Sequence, residues 1–120
     1  MRLESKKYLY DIARAAALAM EFVKGKNFAD YTSDAMLRSA VERQLEIVGE
    51  ALAQLARTDP GAAAKIGEHQ RIIAFRNILI HGYADIDHRI VWNVLELKLP
   101  VVRREAEALL SAEEPSGEMK

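Results

Sequence analysis

Apolar residues recur at three- and four-residue steps along most of this chain, the period of a helix with one buried face. Leu9, Ile12, Ala13, Ala16, Met20 and Val23 mark one such stripe. They predict a first helix over residues 5–24, with Gly25 as its stop. Residues 26–31 read as a short connector, with Phe28 and Tyr31 plugging the end of the core. Thr32-Ser33-Asp34 offers capping side chains for a second helix over 34–56, whose stripe is Leu37, Val41, Leu45, Val48, Leu52 and Leu55. Asp59-Pro60 starts a short helix, because proline fits a first turn, and Gly67 interrupts it. A third main helix covers about 68–81, striped by Ile72, Phe75 and Leu79, widened by Ile73 and Ile80, and ended by Gly82. Asp87 caps a last helix to about residue 110, with a kink at Pro100. No segment alternates convincingly as a strand. The expected fold is all-α: an antiparallel bundle of four main helices plus short connecting helices. Residues 1–110 form its one domain, and the polar residues 111–120 form a disordered tail.

Composition narrows the function classes. The chain has 120 residues, half of them hydrophobic, enough for one core. With no cysteine, disulfides, thiolate metal sites and cysteine nucleophiles are excluded. The start, Met1 to Lys7, leads into an amphipathic segment rather than a signal-type apolar block. No apolar run nears the ~18 residues that a membrane span needs. A cytoplasmic, soluble protein with no membrane partner is expected. A net charge of -1 argues against broad nucleic-acid wrapping. The charges are unevenly placed, however. From His69 to Ala84 there is no Asp or Glu, while His69, Arg71, Arg76 and His81 all lie there. A small cationic site on a neutral body suits local phosphate recognition.

The sharpest chemistry lies in Arg76-Asn77-Ile78-Leu79-Ile80-His81-Gly82-Tyr83. Arginine is an always-charged fork for phosphate. Histidine moves protons near neutral pH. A tyrosine hydroxyl can donate, accept or be modified. On an ideal helix Arg76 and His81 stand ~7.5 Å apart along the axis and ~140° apart around it. One helix therefore does not easily focus both on one phosphate. Two copies facing across a two-fold axis do, which predicts a homodimer. Asn77 stands one turn before His81 and serves as a support.

Plainer readings stand beside these. Arg76 can pair with Glu46 or Glu50 across the bundle, and His81 suits a helix C-terminus. Tyr83 can be a packing residue. Glu46 and Glu50 lack the histidine that a di-metal bundle needs. Asp85, Asp87 and His88 are at best weak metal ligands, and Asp87 is the better helix cap. His69 and Arg71 extend the cationic patch or are solvated surface. Trp92 is core or interface. No metal and no cofactor is expected.

The motif resembles the R-x4-H-x-Y signature of the HEPN superfamily, and specifically the HepT-like toxins. Leu45-Glu46-Ile47-Val48-Gly49-Glu50-Ala51 resembles a run in that family's long helix. Asp87 to Trp92 with Leu99-Pro100, and Tyr8-Leu9 with Asp11-Ile12, resemble its flanking blocks. The resemblance covers residues 3–110. One departure is Gly67-Glu68-His69-Gln70, where the family often has a Pro-Trp pair. The resemblance implies a HEPN-like fold and a metal-independent endoribonuclease toxin acting as a dimer on RNA. Arg76 would bind the scissile phosphate, and His81 would be the acid or base for attack by the RNA 2′-hydroxyl. The products would be a 2′,3′-cyclic phosphate and a 5′-hydroxyl. Tyr83 would take AMP from a partner antitoxin, a minimal nucleotidyltransferase (MntA-like). Two alternatives are a non-catalytic HEPN module that binds, or is modified by, such a nucleotidyltransferase, and a plain helical oligomerisation domain.

Overall fold

A computed structural model describes residues 1–82 and 86–112. Among them are seven α-helical segments, one π-helical turn and no strand. Helix α1 spans Leu3–Phe22, and the turn after it contains Gly25, whose φ of 77° is left-handed backbone that glycine adopts without strain. Its buried face carries Leu9, Ile12 and four alanines: Ala13, Ala15, Ala16 and Ala19. These small side chains let neighbouring helices lie close.

The connector expected over 26–31 is instead a helix, α2, Phe28–Ser33. A reciprocal cap starts it. The Asn27 side chain accepts from the Asp30 N–H at 2.8 Å, and the Asp30 carboxylate accepts from the Asn27 N–H at 2.9 Å. Six residues are too few to show a period, so the apolar pattern is silent there. Arg38 donates to the Thr32 carbonyl at 2.5 Å, satisfying a group that the end of α2 leaves open.

Helix α3 spans Ala35–Thr58, capped by Asp34, which accepts from the Leu37 N–H at 3.0 Å. The start of α1 meets the end of α3, where Arg2 donates to the Thr58 carbonyl. At the other end, Phe22 and Leu37 line one hollow. The two helices are therefore antiparallel. Asp59 caps α4, Pro60–Ala64. The Ala62 N–H, donating to Asp59 at 3.1 Å, holds that carboxyl below the usual range. Helix α5, His69–His81, packs on α3.

The last helix is not one rod kinked at Pro100. Helix α6, His88–Asn93, passes into a π-helical turn over Val94–Lys98 and then into α7, Leu99–Ala112. Within the turn the Leu99 N–H reaches back five residues to the Val94 carbonyl. Pro100 has no N–H to give, and the widened turn absorbs that loss before the proline. Helix α7 packs along α1. It includes Ser111 and Ala112, the first two residues of the expected tail, and residues 113–120 lie outside the described ones.

The core follows the expected stripes, except that Ile80, counted as widening the α5 stripe, turns outward and is 39% exposed. Leu9, Ile12, Val41, Leu45, Val48, Leu52, Leu55, Leu99 and Val102 are fully or almost fully buried. Each such side chain contributes roughly 1.5–3 kcal/mol by leaving water. Tyr31 and Trp92, both buried, stack at 5.5 Å between ring centroids, with Phe28 at 6.2 Å from Trp92. The helices α2 and α6 are pinned together by this aromatic group.

Candidate active site

The placement of the site begins with a glycine. Gly49 lies in the middle of α3, where glycine costs roughly 1 kcal/mol of helix stability relative to alanine. A Cβ there would stand 2.3 Å from Arg76 Cβ and 2.7 Å from Arg76 Cγ. The missing methyl lets the Arg76 stem lie against the backbone of α3. Its guanidinium then reaches the next residue, Glu50, with Nη1 at 2.5 Å from Oε1. Of the two carboxylates one turn apart that the sequence offered, the structure selects Glu50, while Glu46 pairs with Arg43 at 3.4 Å.

Arg76 is mostly sheltered, with 17% of its side chain exposed, whereas the Glu50 side chain is half exposed. Arg76 Nε is buried and has no hydrogen-bond partner among the described residues. The guanidinium is thus held at one nitrogen and keeps other donors uncommitted.

The core face of α5 consists of Ile72, Phe75 and Leu79. Arg76 borders that face on the α3 side. Asn77 and His81 are exposed, on the outward side of the helix. The divergence expected from helix geometry is what the fold contains. Ile78 and Ile80, at 56% and 39% exposure, surround His81 with uncovered apolar surface. His81 is the last residue of α5, and Gly82 follows in ordinary negative-φ backbone. A Cβ there would stand 3.0 Å from the Ile78 carbonyl oxygen, a tight approach that glycine avoids.

Tyr83 and Asp85 lie outside the described residues. His69 turns its Nδ1 to the Ile66 carbonyl at 2.9 Å, and Arg71 is a solvated side chain near Glu68. Neither joins Arg76. Asp87 caps α6, accepting from the Arg89 N–H at 2.9 Å. Among the described residues no three His, Asp or Glu side chains converge as a metal site would require. No helix there is long and apolar enough to cross a membrane.

The sequence reading did not single out two features. One is Gly49, whose signal was a glycine inside an otherwise strong helix-forming run. The other is a polar group under the α2–α6 junction. The Tyr31 hydroxyl and His88 Nδ1 are buried without hydrogen-bond partners among the described residues, and their rings meet edge to face at 6.1 Å. Burial pushes the nearby Glu42 carboxyl up, against the pull of His88 and Arg38.

Comparison with known proteins adds identity to this geometry. The family described as "Ribonuclease HepT-like" matches residues 12–109, which include Gly49, Glu50, Arg76, Asn77 and His81. "Putative RNase MJ1380" of Methanocaldococcus jannaschii is 33% identical over 85% of this chain and 93% of its own length. "Putative RNase TTE0752" of Caldanaerobacter subterraneus is 31% identical over 88% and 94%. "Probable ribonuclease HepT" of Thermococcus cleftensis is 32% identical over 91% and 98%. No solved structure matches significantly. An all-α bundle that packs Arg76 of α5 against α3 and leaves His81 on an open face, matched over nearly its whole length, belongs to the ribonuclease HepT-like family of the HEPN superfamily.

Proposed function

We propose that this ribonuclease cleaves RNA at a seam between two copies of the chain, using Arg76 and His81 from the paired α5 helices. The observation that carries the reading is the divergence of the two side chains. Arg76 is sheltered against α3, and His81 stands exposed between Ile78 and Ile80. Packing the isoleucines against their counterparts in a second copy brings the outward faces together and supplies the missing convergence. In the reaction the RNA 2′-oxygen gives up its proton and attacks phosphorus. The bond to the 5′-oxygen breaks, and that oxygen takes a proton. A 2′,3′-cyclic phosphate and a 5′-hydroxyl result. His81 handles a proton, Arg76 neutralises the charge that builds on phosphorus-bound oxygen, and Asn77 supports His81 one turn away. The nucleophile is already in the substrate, so a metal is not required.

The same reading makes the chain the toxin of a toxin–antitoxin pair in the cytoplasm. A MntA-like nucleotidyltransferase partner adds AMP to Tyr83, two residues after His81 in the sequence, and the added charge and bulk block RNA entry. Intact mass after co-expression with such a partner is expected to rise by AMP units, and Tyr83→Phe to abolish the rise. A wild-type mass that does not change removes this claim.

The test of the catalytic claim is RNA cleavage in chelator by wild type, Arg76→Ala and His81→Ala, each alone and mixed. Each variant alone is expected to be inactive. A mixture of the two regains activity if one copy's Arg76 works with the other's His81. Cleavage that survives both substitutions overturns the assignment. The Arg76–Glu50 ion pair favours one other reading, in which Arg76 is structural and the chain is a non-catalytic partner or substrate of the nucleotidyltransferase. That reading expects no cleavage by wild type.

A further inference from the structure

We infer that the furrow between α1 and α3, next to Arg76, is a nucleobase subsite for the RNA strand, with preference for bases that carry an exocyclic amine. This inference rests on the ribonuclease reading and adds to it where the strand lies and which base it favours.

Glu50 joins the two places. Its carboxylate binds Arg76 on one side and lines the furrow on the other. A phosphate at Arg76 therefore has the furrow as its immediate neighbour. The hollow measures about 300 Å³, at the small end of ligand pockets and suited to one planar group rather than two. Tyr8 and Ile47 give it an aromatic and an aliphatic wall. Base-to-aromatic contact is the ordinary way that single-stranded RNA is held.

The charges are sorted by depth. The Asp11 and Glu46 side chains are only 33% and 27% exposed, so their carboxylates belong to the floor. Their partners Lys7 and Arg43, at 2.8 Å and 3.4 Å, are each 68% exposed and stand at the rim. An ionised carboxylate only accepts hydrogen bonds. A floor of acceptors selects donors: the amines of adenine, cytosine and guanine, as acidic side chains do for the cytosine amine in duplex grooves. Uracil has no exocyclic amine. The rim cations offset the repulsion that floor carboxylates exert on a polyanion, and they stand where backbone phosphates pass. A second hollow of about 290 Å³ shares Asp11 and Ile47 with the first and adds Arg14, so the furrow continues along α1 for a further nucleotide.

The test uses the full chain with 2′-O-methyl tetranucleotides, which bind without being cut because the attacking oxygen is blocked. Homotetramers of adenosine, cytidine and uridine remove any doubt about register. Affinity and the NMR shifts of the Ile47 methyls and Tyr8 ring are recorded together. The adenosine and cytidine oligomers are expected to bind on the order of tenfold more tightly than uridine, from the worth of one good base contact. They should also shift Ile47 and Tyr8. Glu46→Gln and Tyr8→Ala should each shrink the preference toward equality, and Tyr8→Phe should keep it. Equal affinities, a preference that survives both substitutions, or unmoved Ile47 signals overturn the subsite. Unblocked RNA provides the separate arm. A chain that binds with this preference yet cuts nothing defeats the ribonuclease reading alone, and a chain that cuts without base preference defeats the subsite alone.

Discussion

Gly49 and Arg76 touch at a point where the structure has no room for one more carbon: a methyl on Gly49 would lie 2.3 Å from Arg76 Cβ. Gly49→Ala should force α3 and α5 apart at the site. Overpacking of this kind costs about 1–3 kcal/mol. A melting temperature lower by roughly 5–15 °C is expected, from the usual relation for a domain of this size. Cleavage should fall further than the loss of folded protein explains, because the Arg76 stem must move. Gly61→Ala is the matched control, since its Cβ would meet only Asp59 Oδ1 at 3.8 Å. It should melt at or slightly above the wild-type temperature. Equal behaviour of the two variants would sink the close-packing argument.

Arg76→Lys separates an arginine that holds the bundle together from one that holds phosphate. Lysine keeps the charge and can still reach Glu50, but it loses the planar fork. With Glu50 half exposed, the change in stability should stay within about 1 kcal/mol. Cleavage should fall at least tenfold. Thermal melts and single-turnover cleavage measured on one preparation decide the matter. Unchanged cleavage would return Arg76 to a purely structural role.

Much of this site could be read before any fold was known, and the reason is periodic. Stripes such as Leu37 to Leu55 repeat for about five turns, so α1, α3 and the core face of α5 follow directly. The divergence of Arg76 and His81 needs only the helical angle. What stayed hidden depends on register between helices. Glu46 and Glu50 are equivalent in sequence, and only the packing of α5 at Gly49 makes Glu50 the partner. Helix α2 was hidden because its evidence is a pair of capping bonds at Asn27 and Asp30, not a stripe. The π-helical turn was hidden because Leu95, Leu99 and Val102 keep ordinary three- and four-residue spacing straight through it.

Tyr31 gives the fold a limit on the alkaline side. Its hydroxyl is buried without a partner among the described residues. Burial, and then the Glu42 carboxylate, raise its pKa well above the ordinary value, against Arg38. The folded state therefore keeps the phenol proton where the unfolded chain begins to lose it, near pH 10. Tyr31's contribution is fully present below that pH and is lost as pH rises toward the folded value. Tyr31→Phe should be neutral or stabilising by up to about 1 kcal/mol at pH 7, since no hydrogen bond is lost. Its stability should fall less steeply above pH 10 than that of wild type. Parallel slopes in the two proteins would show that Tyr31 does not set the limit.

Ile78→Glu tests the seam. It places a charge on the exposed apolar surface beside His81 without touching the buried face of α5. Sedimentation should show a dimer for wild type and a monomer for the variant, with circular dichroism unchanged. RNA cleavage should be lost along with the dimer. A variant that remains dimeric and active would place the contact between copies elsewhere.

The wide turn over Val94–Lys98 has an effect on neighbouring elements that length alone hides. One residue more per turn rotates everything after it by roughly 100° relative to a continuous α-helix. Helix α6 can thus present Val91 and Trp92 to the aromatic group on α2, while α7 presents Val102 and Ala106 to α1. A single rod would have to choose between those two neighbours. Removing one residue from this turn should rewind it into ordinary helix and swing one of the two faces into water, so insertions and deletions are tolerated worse here than the exposure of Leu97 alone would suggest.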